Sequence, residues 1–406
     1  MKIHLIGIGG IGVSALAQYY LSKGHTVSGS DLVASEITEF LKGKGISVVI
    51  GNLAENISSD MDLVVHSPAV KADNQEYKKA KELGIKTQSY PEALGELTKE
   101  YYTIAVAGAH GKSTTTAMIA LALTKAGLDP TVIVGTKLKE FGGSNFRAGK
   151  SKFLVIEACE YDSSFMHYLP KIIVVTNIDK EHLDYFKTFA NVKKAFKNFI
   201  AKLPEDGFLV NKYPAKDIKK VKAVLKVPGL HNVYNAILAL QVGKILAIPE
   251  NIILKSLSEF KGTWRRFEIV KEGSITVISD YAHHPNEIMA TLKAAREKYK
   301  NNKIWCVFQP HQHQRTYYLF NDFVKVFRSA KIDNIIITDI YDVAGRETKE
   351  INKEVSSEKL VKKINKKNVE YIPLCDIEAR VRGGVKKGGV LIIMGAGDIY
   401  KLADKF

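Results

Sequence analysis

Short apolar runs recur along the chain, each ending in a turn rich in glycine or acid and followed by helical spacing. Residues 2–7 form the first run; it feeds Gly7-Ile-Gly-Gly-Ile-Gly12 and a predicted helix to about Lys23. Residues 25–29 predict a second strand ending at Asp31, and residues 62–66 a later one. The helical segment Pro91-Glu-Ala-Leu-Gly-Glu-Leu97 closes this block near residue 99. A second block opens with a buried strand at 102–107 and a helix at 114–126. Strands follow at 153–157 and 172–176, and a helix at 232–246. Lys261-Gly-Thr-Trp264 marks the next boundary. Beyond it the pattern predicts strands near 276–279, 304–308, 335–338 and 390–394. Such alternation is the pattern of α/β layers built on parallel sheets. The expectation is an α/β protein of three domains, 1–99, 100–262 and 263–406, without internal repeats.

Composition narrows this little. At 406 residues the chain is too long for one core, and 46% hydrophobic with 25% charged residues is ordinary for a globular protein. Cys159, Cys306 and Cys375 are far apart and odd in number, so they predict neither a disulfide framework nor a metal pair. That suits a reducing cytoplasm. No apolar run is long enough to span a bilayer, and the glycines in residues 1–21 read as strand, turn and helix rather than a signal peptide. The net charge of +16 raises the question of nucleic acid. Its lysines are spread out, with modest runs at 212–226 and 349–367, and no interleaved aromatics offer stacking platforms. A solvated surface, with some contribution from anionic substrates, accounts for the charge; no nucleic-acid or membrane partner is expected.

The sharpest chemical signal is Val106-Ala-Gly-Ala-His-Gly-Lys-Ser-Thr-Thr-Thr116, between a strand and a helix. Backbone N–H groups of such a turn face phosphate, Lys112 adds a positive charge, and the Ser113 hydroxyl suits Mg²⁺. Val106 stands where the usual P-loop has its first glycine; Gly108 supplies the turn, and His110 sits inside the loop. The opening Gly7-Ile-Gly-Gly-Ile-Gly12, with Asp31 after the next strand, matches a dinucleotide fingerprint. Its physics is broader, since any diphosphate can approach glycine backbone at a helix N-terminus. An NAD(P) oxidoreductase rests on this loop alone, and a second nucleotide loop makes it awkward; a UDP-sugar would use the same cradle.

Other polar clusters also follow strands. Glu157-Ala-Cys-Glu-Tyr-Asp-Ser-Ser-Phe165 and Thr176-Asn-Ile-Asp-Lys-Glu-His-Leu-Asp184 bring carboxylates and imidazole to neighbouring strand ends, where a further Mg²⁺ could bind. In Gly229-Leu-His-Asn-Val-Tyr-Asn235, Asn232 and Asn235 share a helix face and could read a base edge, although Asn232 alone would serve as a cap. Arg265-Arg-Phe-Glu268, Ser279-Asp-Tyr-Ala-His-His-Pro285 and Phe308-Gln-Pro-His-Gln-His-Gln-Arg-Thr316 gather histidine and arginine in the third block. Without cysteine partners or suitable spacing, zinc is the weaker reading, and an anion clamp using Arg266 and Arg315 the better one.

Taken in order and nearly end to end, these segments resemble the Mur ligases, whose ATP loop reads Gly-Thr-His-Gly-Lys-Thr-Thr, and in particular the member that adds L-alanine to UDP-N-acetylmuramate in peptidoglycan synthesis. The resemblance implies a Rossmann-like UDP-sugar domain, a central P-loop ATPase-like domain and a Rossmann-like third domain that closes over the site. It implies activation of the sugar's carboxylate by ATP as an acyl phosphate, which the amine of L-alanine attacks. Gly7, Gly9, Gly10, Gly12 and Asp31 would hold the UDP-sugar. Gly108, His110, Gly111, Lys112, Ser113, Thr114, Asn232, Asn235, Arg266 and Asp280 would hold ATP, and Ser113, Glu157 and His182 would hold Mg²⁺. Lys112, Glu157, His182 and Arg266 would be catalytic, and Tyr281, His283 and Arg315 would bind the amino acid. Gln312 replaces an arginine found in some members, leaving the alanine carboxylate to Arg315. The nearest rival is the recycling ligase that attaches a tripeptide to the same sugar nucleotide.

Overall fold

The structure is a computed structural model describing residues 1–342 and 353–406; Lys349, at the start of the second lysine run, lies outside them. Three α/β sheets follow one another along the chain. The first contains β1 (Lys2–Ile6), β2 (Thr26–Asp31), β3 (Ser47–Ile50), β4 (Leu63–His66) and β5 (Lys86–Ser89) in the order 3-2-1-4-5, all parallel. Its helices are α1 (Ile11–Ser22), α2 (Glu36–Gly43), α3 (Gln75–Glu82) and α4 (Tyr90–Glu100). The order reverses beside β1, so the crevice where ligands bind in such sheets lies at the glycine turn after β1.

The second sheet contains β6 (Tyr102–Ala107), β7 (Thr131–Leu138), β8 (Ser144–Arg147), β9 (Phe153–Glu157), β10 (Ile172–Val175) and β11 (Phe208–Val210) in the order 11-10-6-9-7-8. Only β7 and β8 are antiparallel. Strand β6 feeds α5 (Lys112–Lys125) at the point where the order reverses. Further on come α6 (Leu183–Phe186), α7 (Phe189–Ile200), α8 (Ala215–Val224), α9 (Leu230–Ile245) and α10 (Glu250–Glu259).

The third sheet contains β12 (Glu268–Lys271), β13 (Thr276–Asp280), β14 (Ile304–Phe308), β15 (Asn334–Ile337), β16 (Val369–Tyr371) and β17 (Val390–Met394) in the order 12-13-17-14-15-16. The edge strand β12 runs antiparallel to β13. Helices α11 (Pro285–Lys298) and α12 (His313–Tyr318) follow β13 and β14. Central strands such as β10 and β17 are apolar at every position because helices cover both their faces.

The chain divides into two compact units: residues 1–224 with 235–258, and residues 225–234 with 259–406. The three expected blocks each have a sheet, but packing joins the first two. A single apolar cluster runs from Ile3, Leu16 and Leu94 to Ala105, Ile133, Phe165 and Phe196. A polar joint accompanies it. Asn145 of β8 donates to the carbonyl of Ile11 and, at 3.1 Å, to Ser14 Oγ, while Gln18 Nε2 donates to Asn145 Oδ1 at 2.9 Å. The sequence pattern did not reveal this hairpin, because β7 and β8 lack an uninterrupted apolar run with a chemical motif at its end.

Glycine marks one close approach within the first sheet. A Cβ on Gly29 of β2 would stand 2.5 Å from both the Leu5 carbonyl oxygen and Ile8 Cδ1. At Gly43, the last residue of α2, nothing lies within 4 Å of such a Cβ. Gly29→Ala should therefore lose about 3 kcal/mol of unfolding free energy, whereas Gly43→Ala should be neutral or gain up to about 1 kcal/mol. Urea unfolding of the two variants tests the contrast, and equal effects would show that the sheet relaxes around the added methyl.

Candidate active site

In the first unit, the opening loop is tied down by its own backbone. Gly7, at φ +78°, and Ile8 both donate to the Ser30 carbonyl, at 2.8 and 2.9 Å, and Gly10 donates to Gly7 at 3.1 Å. Asp31 Oδ2 accepts from the Gly9 amide at 2.8 Å, so this carboxylate shapes the loop. Gly12 opens the first turn of α1 against the Tyr90 ring, where a Cβ would stand 2.8 Å from Cζ. The result is a helix N-terminus approached through bare backbone, which suits an anion.

The P-loop follows β6. Gly108, at φ +136°, has no room for a Cβ beside Thr176 Oγ1, and a Cβ on Gly111, at φ +82°, would stand 2.5 Å from Asn235 Oδ1. His110 is held by the next strand end: its amide donates to Asn177 Oδ1 at 3.0 Å, and its Nε2 lies 3.1 Å from Asp179 Oδ2. Lys112 Nζ donates to the carbonyls of Gly108 and Ala109 and pairs with Glu160 at 3.1 Å. Glu160 is 1% exposed. Burial alone would lower the Lys112 pKa, but the charge of Glu160 outweighs it and holds the ammonium above the usual lysine range.

The same Glu160 carboxylate lies 3.9 Å from His182 Nε2. His182 sits in the left-handed region at φ +54°, against the Tyr161 ring at 4.9 Å. Glu157, at the end of β9, accepts from the Gly135 amide of β7 at 2.5 Å. Ser113 and Thr114 begin α5 and are buried. Lys112, Glu160 and His182 thus form one cluster, with Glu157 held at the neighbouring strand end.

In the second unit, the ends of β13, β14 and β17 are neighbours. Asp280 accepts from the amides of Phe267 and Ala282, both at 2.7 Å. Arg266 lies 3.5 Å from Glu287 and 4.8 Å from the Tyr281 ring centroid. His283 lies 5.3 Å from Tyr281 and 6.0 Å from His311, and Arg315 Nη1 lies 3.2 Å from His311 Nδ1. His284 caps α11 and accepts from the Asn286 amide. Asn232 donates to the Pro228 carbonyl at 2.7 Å. The unit therefore brings Tyr281, His283, His311 and Arg315 together.

Residues 2–102 match the Mur ligase family, catalytic domain; residues 106–223 match the Mur ligase middle domain; residues 265–397 match the Mur ligase, glutamate ligase domain. The chain belongs to the Mur ligase family. It is 41% identical to the UDP-N-acetylmuramate–L-alanine ligase of Acetivibrio thermocellus, over 100% of this chain and 95% of that protein. It is also 41% identical to that of Alkaliphilus metalliredigens, over 99% of this chain and 96% of the relative. Among solved structures, it is similar to the UDP-N-acetylmuramate–alanine ligase of Thermotoga maritima, with a TM-score of 0.83, 27% identity and coverage of 100% and 98%. A murein peptide ligase from Psychrobacter arcticus shares the fold, at TM-score 0.71 and 23% identity over 100% and 98%.

Three residues of this Mur ligase escaped the sequence reading. Glu160 shares one acidic segment with Glu157 and carries no separate sequence signal; its burial and its Lys112 partner set it apart. Asn145 carries no motif. Arg265, beside the conspicuous Arg266, is 5% exposed, sits over the Tyr400 and Tyr281 rings at 4.3 and 4.9 Å, and donates to the carbonyls of Gly395 and Gly397.

Two groups of the second unit, the buried Asp280 and the half-buried His231, predict a pH effect. Burial pushes the Asp280 carboxyl up to about 6 against the pull of Arg266. Burial, with Arg266, lowers His231 to about 4. Between about pH 4 and 6 the native state keeps a proton on Asp280 that the unfolded chain has lost, so this contribution to stability falls as pH rises. His231 acts in the opposite sense, because the unfolded chain takes up its proton first. Asp280→Asn removes the first contribution, so the variant's urea midpoint should rise with pH relative to wild type across that window. A constant offset would mean that Asp280 stays ionised in the fold.

Proposed function

We propose that the protein joins L-alanine to UDP-N-acetylmuramate, with cleavage of ATP to ADP and phosphate, as a step in peptidoglycan synthesis in the cytoplasm. The observation that carries this reading is 41% identity along the whole chain to relatives of that name, in a protein that keeps the P-loop Lys112.

The first step brings two anions together, since the sugar's carboxylate must attack the γ-phosphorus of ATP. Lys112 supplies positive charge at the phosphates, and the N-terminus of α5 supplies backbone donors. Hydroxyl and carboxylate oxygens with one imidazole make a donor set that suits Mg²⁺, which Ser113, Glu157 and His182 would hold; bound there, it would supply positive charge to offset that of the reacting anions. The amine of L-alanine attacks the acyl phosphate, the tetrahedral adduct expels phosphate, and the amine's proton is lost as the amide forms. Gly7, Gly9, Gly10 and Gly12 take the diphosphate of the sugar nucleotide, with Asp31 shaping that loop. Asn232 and Asn235 serve the adenine, Arg266 and Asp280 the ATP site, and Tyr281, His283 and Arg315 the amino acid.

Phosphate release from ATP should require UDP-N-acetylmuramate and L-alanine together, and a tripeptide should not replace the amino acid. Release indifferent to the sugar nucleotide would remove the ligase reading, and preference for the tripeptide would favour the recycling enzyme.

The Lys112–Glu160 pair gives a second expectation. Breaking a buried pair by removing one partner costs about 3–5 kcal/mol, so Glu160→Gln should lower thermal stability markedly without nucleotide. Saturating ATP should recover much of the loss by supplying other negative charge to Lys112. A deficit unchanged by ATP would show that Lys112 does not meet the phosphates.

A further inference from the structure

One buried polar atom near the amino-acid cluster lacks an internal partner. Gln309 directly follows β14 and is 2% exposed, and its Oε1 has no hydrogen-bond partner among the described residues. The backbone there is fixed, since the Gln309 amide donates to the Met394 carbonyl at 2.9 Å. A Cβ on Gly397 would stand 2.7 Å from Oε1 and 2.6 Å from the Tyr341 ring, and one on Gly395 would stand 2.9 Å from the Gln309 carbonyl. The absence of a side chain at these two glycines leaves room for the carboxamide itself and for the Gln309 backbone. Arg265 fixes that turn by donating to the carbonyl of each glycine.

The same geometry links Gln309 to the cluster. The Tyr341 ring, which shares Gly397 with Oε1, stacks on His311 at 5.4 Å and 8°. His311 in turn adjoins Arg315 and His283. An unmet buried acceptor is costly, and native structures hold few of them, so a donor from a ligand is the economical explanation.

We propose that Gln309 Oε1 accepts an N–H of the incoming amino acid's α-amine and orients the nucleophile, while Arg315 takes the carboxylate; this rests on the ligase reading above. A carboxamide oxygen suits the task, because it accepts from ammonium and neutral amine alike and takes no proton itself.

The test compares L-alanine with propionate, which has the same carbon skeleton and carboxylate but no amine. Gln309→Met keeps the side-chain length and removes the acceptor. The KM for L-alanine should rise about tenfold to a hundredfold, the worth of a hydrogen bond to a charged donor. Inhibition by propionate and the KM values for ATP and UDP-N-acetylmuramate should not change. An unchanged alanine KM, or an equal loss for alanine and propionate, overturns the proposal. If the methionine variant does not fold, Gln309→Asn, which withdraws the same acceptor by one methylene, should give the same selective loss and is judged by the same ratio. Wild-type turnover that does not depend on L-alanine would overturn the ligase reading and this proposal together. Alanine-dependent turnover indifferent to Gln309 would overturn only the proposal.

Discussion

The Asn145 carboxamide is the joint on which the arrangement of the first two sheets depends. It holds Ile11 and Ser14 of α1 with its nitrogen and Gln18 with its oxygen, and Ser144 donates to Gln18 Oε1 at 2.8 Å. These side chains are more than nine-tenths buried, where a fully met polar network specifies one geometry and a partly met one is costly. Strand β8 therefore cannot slide along α1 without losing several hydrogen bonds at once. Its partner β7 provides the Gly135 amide that holds Glu157. A single hairpin thus fixes the glycine turn beneath α1 relative to the carboxylate beside the P-loop. In the ligase reading, the same hairpin sets how far the sugar nucleotide's carboxylate must reach.

Electrostatics then dominates the P-loop. A lysine half-buried against a buried carboxylate keeps its charge, because Glu160 provides the counter-charge. The pair leaves Lys112 charged and directed across the mouth of the loop. In the ligase reading, an arriving triphosphate would compete with a carboxylate for an existing cation, and no proton would have to move on binding. His182 shares the Glu160 neighbourhood in a left-handed backbone conformation that is uncommon outside glycine.

In the second unit the comparable constraint is Arg265. Its guanidinium lies among Trp264, Tyr281 and Tyr400 and reaches the carbonyls after β17. Ring faces and carbonyl dipoles help to hold this cation deep in its domain. It ties the residues before β12 to the turn after β17, and it leaves Arg266 directed toward Glu287.

The sequence by itself determined the class of fold and marked the candidate site residues that follow its strands. Apolar runs ending in glycine or acid are legible because parallel strands buried on both faces must be apolar throughout, and their carboxyl ends must turn. Lys112, Ser113, Glu157, His182, Asp280, Tyr281 and His283 were all marked by following such runs. What the chain could not reveal was which neighbours these groups choose. Glu157 and Glu160 are three residues apart in one acidic segment, yet one meets a backbone amide of β7 and the other the Lys112 ammonium. That choice depends on β7 and β10 flanking the β6–β9 pair, a consequence of strand order. Asn145, Arg265 and Gln309 stayed silent for the same reason. A carboxamide or guanidinium gains its meaning from burial and from partners distant in sequence, and only the packed structure brings those together.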